Sequence, residues 1–244
     1  MVDKVPHEES RMGTVAELLD LLDSIAARHA RPDRTQRASS KAWDRRLCET
    51  THPLAHDLPD EPLVSWFEAG LLGDLHGAKV VDVGCGNGRN ARWLASKGAN
   101  VIGIDIAPEL LHNCARRASP REMYLNVDIL REPLPNLEAD LVYDSGCFHH
   151  VPPHRRPTYI QAVLDLVARR EGKFGIVAFN AEKVPTGTDL DIILNGGTGS
   201  SFSLRDLESI FSPLAPLDIR PVKPGVSGTF SPDFLNAALF KRVY

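Results

Sequence analysis

Cysteine is scarce in this chain. Four occur in 244 residues, Cys48, Cys85, Cys114 and Cys147, and no two form a C-x-x-C pair. That spacing argues against a zinc ribbon or a redox dithiol and fits a reduced, cytosolic set of thiols. Long apolar runs are missing as well. No stretch approaches the ~20 residues of a membrane span, and the polar N-terminus holds no apolar signal core. There is no basic surplus either. Lys and Arg number 28 against 32 Asp and Glu, a formal charge of -4. A polynucleotide partner needs a positive field that this balance does not supply. The expectation is a soluble, cytoplasmic protein with no metal centre, no membrane partner and no nucleic-acid partner.

Of the 244 residues, 43% are hydrophobic and 25% charged, enough for one α/β domain with a sizeable core and an N-terminal appendage. The division expected is a helical and loop cover over 1–72 and a cofactor-binding domain over 73–244.

The most informative stretch is 80–105. An apolar strand (Val80, Val81, Val83) enters a glycine-rich turn, Gly84-Cys85-Gly86-Asn87-Gly88. A helix follows and stops at Gly98, and a second apolar strand ends in Asp105. Glycine suits such a turn because it lets backbone and ligand approach closely and leaves φ free of sign. A carboxylate at the end of the second strand suits a ribose diol. A nucleoside-bearing cofactor is therefore predicted.

A dinucleotide fingerprint places glycines as G-x-G-x-x-G to hold a pyrophosphate. Here they fall at 84, 86 and 88, with Asp82 two residues before the first. A carboxylate facing the turn repels a pyrophosphate but attracts an ammonium. S-adenosylmethionine carries an adenosine, an ammonium and a carboxylate, and no phosphate. From about Gly77 to its C-terminus the sequence resembles the class I S-adenosylmethionine-dependent methyltransferases. The resemblance implies a Rossmann-like, doubly wound α/β fold. Its seven-stranded sheet would have the order 3-2-1-4-5-7-6, with the last strand antiparallel and an N-terminal helical lid.

The rest of the chain fills in this frame. Thr14-x-x-Glu17 is a capping box opening an amphipathic helix with Val15, Leu18, Leu19, Leu22 and Ile25 on one face. That helix reads either as a lid or dimer element or as a helix packed on the flank of the sheet. Residues 29–62 read as loop-rich, with Trp43, His52 and His56 as candidates for covering a ligand; a tryptophan face suits a sulfonium or an adenine. Helices are predicted over 62–72, 89–97, from 107 onward, over 157–170 and from Ser203 to 211. Strands are predicted over 124–129, 140–144, 173–179, 217–222 and 234–242. Residues 181–200 break the periodicity and read as an insertion walling an acceptor pocket, or as a surface loop.

In the family, the acid near the end of the third strand takes the adenine amine and the next backbone N–H meets a ring nitrogen. Asp128 and Ile129 stand there, although an aspartate capping its own turn is the alternative. After strand four comes Asp144-Ser145-Gly146-Cys147-Phe148-His149-His150-Val151-Pro152-Pro153. This D-x-G-C-F-H-x-x-P-P run resembles the thiopurine, thiol and tellurite branch of small-molecule methyltransferases. A D-R-G form is common there, so Ser145 departs from it. The candidate cofactor set is Trp43, Asp82, Gly84, Cys85, Gly86, Asn87, Asp105, Ile106, Asp128, Ile129, Asp144 and Ser145. His149 and His150 are the candidates for acceptor contact or general base, because imidazole titrates near neutrality. Cys147 reads as packing.

The function expected is methyl transfer from S-adenosyl-L-methionine to S, N or O of a small-molecule acceptor, with specialised metabolism as one setting, leaving S-adenosyl-L-homocysteine. A nucleic-acid or protein methyltransferase is the second reading; its N-P-P-Y or D-P-P-Y signature is absent. A cofactor-binding module without turnover is the third. Monomer and homodimer are both open.

Overall fold

Alternation along each strand decides which side of the sheet it feeds. In β1 (Lys79–Val83), Val81 and Val83 join one apolar cluster and Val80 joins the other. Both faces are therefore covered, as a parallel sheet requires. The computed structural model describes residues 13–29, 33–48, 54, 56–134, 137–195 and 199–243. The further strands are β2 (Asn100–Asp105), β3 (Glu122–Asn126), β4 (Leu141–Ser145), β5 (Lys173–Phe179), β6 (Ala215–Pro221) and β7 (Leu235–Lys241). The sheet runs 3-2-1-4-5-7-6, the order expected. Its strands are parallel from β3 to β5, and β7 is antiparallel to both β5 and β6.

The helices are α1 (Val15–His29), α2 (Ser40–Cys48), α3 (Glu61–Glu68), α4 (Arg89–Ser96), α5 (Pro108–Arg117), α6 (Arg156–Leu166), α7 (Asp189–Asn195) and α8 (Leu204–Ile210). One face of the sheet packs Phe148, Tyr159, Phe174, Phe211 and Phe240, all at most 1% exposed. The other packs Leu63, Trp66, Leu94, Tyr143 and Leu239. None of the helices is long and apolar enough to cross a membrane, among the described residues.

Several local expectations need correction. The stretch read as loop contains α2, whose Asp44 carboxylate caps the start of α5 by accepting from the Leu110 N–H at 3.0 Å. A cap supplied 66 residues away leaves no local trace. β3 stops at Asn126, so Asp128 and Ile129 lie in the turn beyond the strand. α6 ends at Leu166 rather than 170, and 181–200 holds the short helix α7. The Thr14–Glu17 capping box forms as predicted, with Glu17 N–H on Thr14 Oγ1 at 3.2 Å and Thr14 N–H on Glu17 Oε2 at 3.0 Å.

Candidate cofactor and acceptor site

The register pairs Val83 with Ile104 on one side and with Asp144 on the other, so β1, β2 and β4 end level. A cavity of about 310 Å³ opens over those carboxyl ends. Ligands bind at this place in open α/β sheets because the connections leave in opposite directions and part there. The glycine turn forms its floor. Gly84 sits at φ 65°, and a Cβ there would lie 2.5 Å from the Cβ of Cys147. Only glycine lets the turn after β1 and the turn after β4 touch.

Three carboxylates line the cavity. Asp105 accepts from the Gly86 N–H at 2.8 Å through Oδ2 and from the Ala107 N–H at 2.9 Å through Oδ1. Burial nevertheless raises its pKa above the usual carboxylate range. A carboxylate has about four acceptor sites, so Asp105 keeps acceptor capacity for a ligand. Asp82 is 1% exposed, and its Oδ2 is buried with no hydrogen-bond partner. Burial raises its pKa to about 8, against the opposing pull of Arg89. An orphaned buried oxygen facing a cavity invites a cationic donor, and this is where the residues present fit the ammonium of S-adenosylmethionine. Asp128 lines the cavity but is already engaged: Oδ1 caps its own turn at the Leu130 N–H (2.9 Å) and Oδ2 meets Arg131 (3.3 Å).

Gly86, Ile106, Ile129 and Ser145 also face the cavity, as do Cys85 and Asn87. Burial pushes the Cys85 thiol well up, so it packs as a neutral group. Asn87 spends its amide on the cover, donating to the Leu54 and His56 carbonyls at 2.8 and 3.2 Å. Asp144 departs from expectation: it does not line the cavity. Its Oδ1 accepts from the Cys147 N–H at 2.8 Å, and its Oδ2 from the Phe148 N–H at 3.0 Å and from the Tyr159 hydroxyl. Burial raises its pKa to about 7 despite those bonds. It shapes the turn and does not face the ligand space.

His149 and His150 both line the cavity. His149 is 5% exposed and stacked on Phe179, with ring centroids 3.8 Å apart. Its Nδ1 has no partner, and burial holds its pKa well below the ordinary value, so the ring is neutral at pH 7. His150 stands 5.0 Å from Trp43 and 4.4 Å from His149, ring to ring. None of the described residues of 181–200 lines the cavity. The segment braces the histidine turn from behind: the Ser200 N–H donates to the His149 carbonyl at 2.6 Å. Arg156 then ties Ser200 Oγ (2.6 Å) to Asp189 of α7 (2.7 Å).

Several lining residues escaped sequence reading. Arg89, 4% exposed, reaches Asp60 Oδ1 at 2.6 Å, Ser145 Oγ at 2.9 Å and the Leu58 carbonyl at 2.9 Å. Asp60 also accepts from Asn90 and from the Tyr143 hydroxyl. The apolar wall is Val177, Phe179, Phe230, Phe234 and Leu235. The last three lie in the β6–β7 connection and the start of β7, where glycines and prolines hide any periodicity. The cover comes from 33–54 through Arg34, Thr35, Trp43, Arg46, Leu47 and Leu54.

α1 contributes no lining residue, which favours the flank reading over the lid. It packs on α7 and is held through Asp23, which meets Arg155 at 2.6 Å, His154 at 2.6 Å and Arg131 at 3.2 Å. Burial works against that carboxylate's charge, but hydrogen bonds from His154 and Arg155 and the charge of Arg131 hold its pKa well below the usual range. His56 lies outside the cavity lining, packed on Phe230 with ring centroids 5.1 Å apart. His52 lies outside the described residues.

With this geometry in hand, the chain can be set beside known proteins. A family model described as a methyltransferase domain matches residues 80–170. An uncharacterized methyltransferase of Schizosaccharomyces pombe is 38% identical over 85 residues, covering 33% of this chain and 57% of that protein. A ubiquinone biosynthesis O-methyltransferase of Pseudomonas fluorescens is 32% identical over 130 residues, covering 51% of this chain and 53% of its own length. The chain thus spans about half the length of the curated relatives it matches. Among solved structures, an S-adenosylmethionine-dependent methyltransferase from Mesorhizobium loti superposes with a TM-score of 0.58 at 17% identity, over 73% of this chain and 97% of that one. An N-methyltransferase from Bradyrhizobium japonicum, in complex with S-adenosyl-L-homocysteine, gives 0.59 at 15% identity, over 84% and 98%. These likenesses show the fold. Residues 80–170 match the methyltransferase-domain model, and the seven-stranded sheet is the fold of these solved structures.

Proposed function

We propose that this protein is an enzyme that transfers the methyl group of S-adenosyl-L-methionine to a heteroatom of a small-molecule acceptor. The observation that carries this is the cavity at the carboxyl ends of β1, β2 and β4. It has a hydrogen-bonding carboxylate floor on one side and an apolar wall with a neutral histidine on the other. Asp105 suits the ribose hydroxyls, Asp82 the ammonium, and the turn at Asp128 and Ile129 the adenine. At that turn Asp128, like Asp105, has one partner on each oxygen and keeps acceptor capacity for the adenine amine, while Ile129 offers its backbone.

S-adenosylmethionine supplies an activated methyl on a sulfonium, so the chain's work is alignment, exclusion of water and disposal of one proton. Phe179, Phe230, Phe234 and Leu235 exclude water from the acceptor side. His149 is kept in its proton-accepting form by burial. A weak base suffices, since an acceptor atom becomes far more acidic once its lone pair is committed to a new carbon bond. The post-β4 run resembling the thiol and thiopurine branch keeps sulfur beside oxygen and nitrogen as the atom methylated. Specialised metabolism is the setting this suits.

The test is S-adenosyl-L-homocysteine release across a panel of thiols, amines, phenols and carboxylic acids, for the wild type and for His149→Ala. Turnover with one acceptor class is expected, with kcat falling about 10²–10⁴-fold in the variant and cofactor affinity little changed. Cofactor binding by calorimetry without any turnover would favour a non-methylating module. No binding would overturn the proposal.

A further inference from the structure

Several arginines turned toward the interior are matched to carboxylates. Arg89 meets Asp60 at 2.6 Å, Arg155 meets Asp23 at 2.6 Å and Arg156 meets Asp189 at 2.7 Å. Arg46 differs. It is half-buried on α2, it lines the cavity, and among the described residues it has neither an ion pair nor a hydrogen bond. Its one described contact is the Trp43 ring, with the guanidinium carbon 5.4 Å from the ring centroid.

That platform is itself fixed. Trp43 Nε1 donates to the Arg34 carbonyl at 2.7 Å, and the ring meets His150 at 5.0 Å. The next residue, Leu47, leans on the glycine turn, its Cδ1 3.1 Å from where a Gly86 Cβ would stand. Asp44 pins α2 to the start of α5. Arg46 is thus a preoriented guanidinium, stacked on an indole, facing a ligand space whose floor carries three carboxylates. A guanidinium in such a place offers a planar fork to an incoming oxyanion, and stacking on an aromatic face leaves the fork edge free.

We infer that Arg46 is the anion receptor of this cavity and that its ligand is a carboxylate. The inference rests on the function proposed above. Two ligands there can bring that group: the amino-acid end of the cofactor, or an acidic acceptor. The chemistry is shared, and the experiment separates the sources.

Arg46→Gln removes the charge, and Arg46→Lys keeps the charge but loses the fork; thermal melts establish that both variants fold. Calorimetry compares S-adenosyl-L-homocysteine, which carries the α-carboxylate, with 5′-methylthioadenosine, which lacks the amino-acid end. If the cofactor is the source, Arg46→Gln weakens S-adenosyl-L-homocysteine roughly 10- to 100-fold and leaves 5′-methylthioadenosine unchanged. If the acceptor is the source, both nucleosides bind as in the wild type. KM then rises by a similar factor for a hydroxybenzoate or a mercaptobenzoate but not for its methyl ester. In either case Arg46→Lys should recover part of the loss. Equal behaviour of wild type and Arg46→Gln toward both nucleosides and both members of the acid–ester pair overturns the inference and leaves the proposed function standing. A wild type that binds neither nucleoside overturns the proposed function, and this inference falls with it.

Discussion

The two walls of the cavity are built on different principles. The cofactor-side wall is local. Asp82, the glycine turn and Asp105 come from one βαβ unit of 26 residues, and backbone N–H groups at Gly86 and Ala107 hold Asp105 in place. The wall proposed for the acceptor is assembled from distant segments: the cover at 33–48 with Leu54, the turn after β4, the end of β5 and the approach to β7. It is held mainly by ring packing, as in His149 on Phe179 and Trp43 against His150. A hydrogen-bonded local turn fixes geometry for one ligand shape, while an aromatic wall of remote origin is free to vary. The contrast suits a shared cofactor and a divergent acceptor.

Arg89 is the residue that joins the two walls, and removing it has the largest effect expected here. Arg89→Ala leaves Asp60 buried at 1% exposure without its cation and frees both Ser145 and the Leu58 carbonyl. Breaking a buried pair from one side costs about 3–5 kcal/mol. A urea titration should show that loss as a lowered midpoint at unchanged slope. A midpoint shift of less than about 1 kcal/mol would mean that the walls stand independently.

Asp105→Ala sharpens the comparison on the cofactor side. It removes charge-assisted acceptors, and S-adenosyl-L-homocysteine affinity should fall by roughly 1.5–3 kcal/mol in calorimetry. Unchanged affinity would show that Asp105 only organises the turn, through the Gly86 and Ala107 N–H groups.

The third effect is smaller and depends on pH. With its pKa raised to about 8, Asp82 is largely protonated at neutral pH in the free protein. An ammonium ligand favours the carboxylate, so binding releases a proton. Affinity should therefore rise with pH toward about 8, by at most tenfold per unit, and fall again once the ligand's own ammonium loses its proton. The same shift has the opposite sign for folding. A buried acid whose pKa is raised binds its proton more tightly when folded, so its contribution to stability falls as pH rises from the ordinary carboxylate value toward 8. Calorimetry in buffers of different ionisation enthalpy counts the released proton. Zero protons released would separate Asp82 from the ammonium.

Legibility in the sequence follows the same division. The glycine turn, Asp82 and Asp105 were readable because each rests on short-range chemistry, and the strand order came from the family resemblance that those residues carry. His149 and His150 could be placed after β4, but their environment could not. That His149 is neutral and stacked depends on Phe179, thirty residues away, and on Ser200 behind it. Whether Asp144 holds the cofactor or shapes its loop was not legible for a related reason: the hydroxyl that meets it from behind belongs to Tyr159 on α6.

By itself the sequence determined the strands flanking the glycine turn and the site of that turn, because a βαβ unit states its backbone requirements within a few turns of chain; the sheet order and the expected cofactor followed from the resemblance that unit carries. Only the tertiary structure decided where the cover lies, that Arg46 meets no carboxylate among the described residues, and that Ser200 braces the histidine turn. Those outcomes are set by contacts between segments far apart in the chain, and no local pattern encodes a partner that the fold alone brings near.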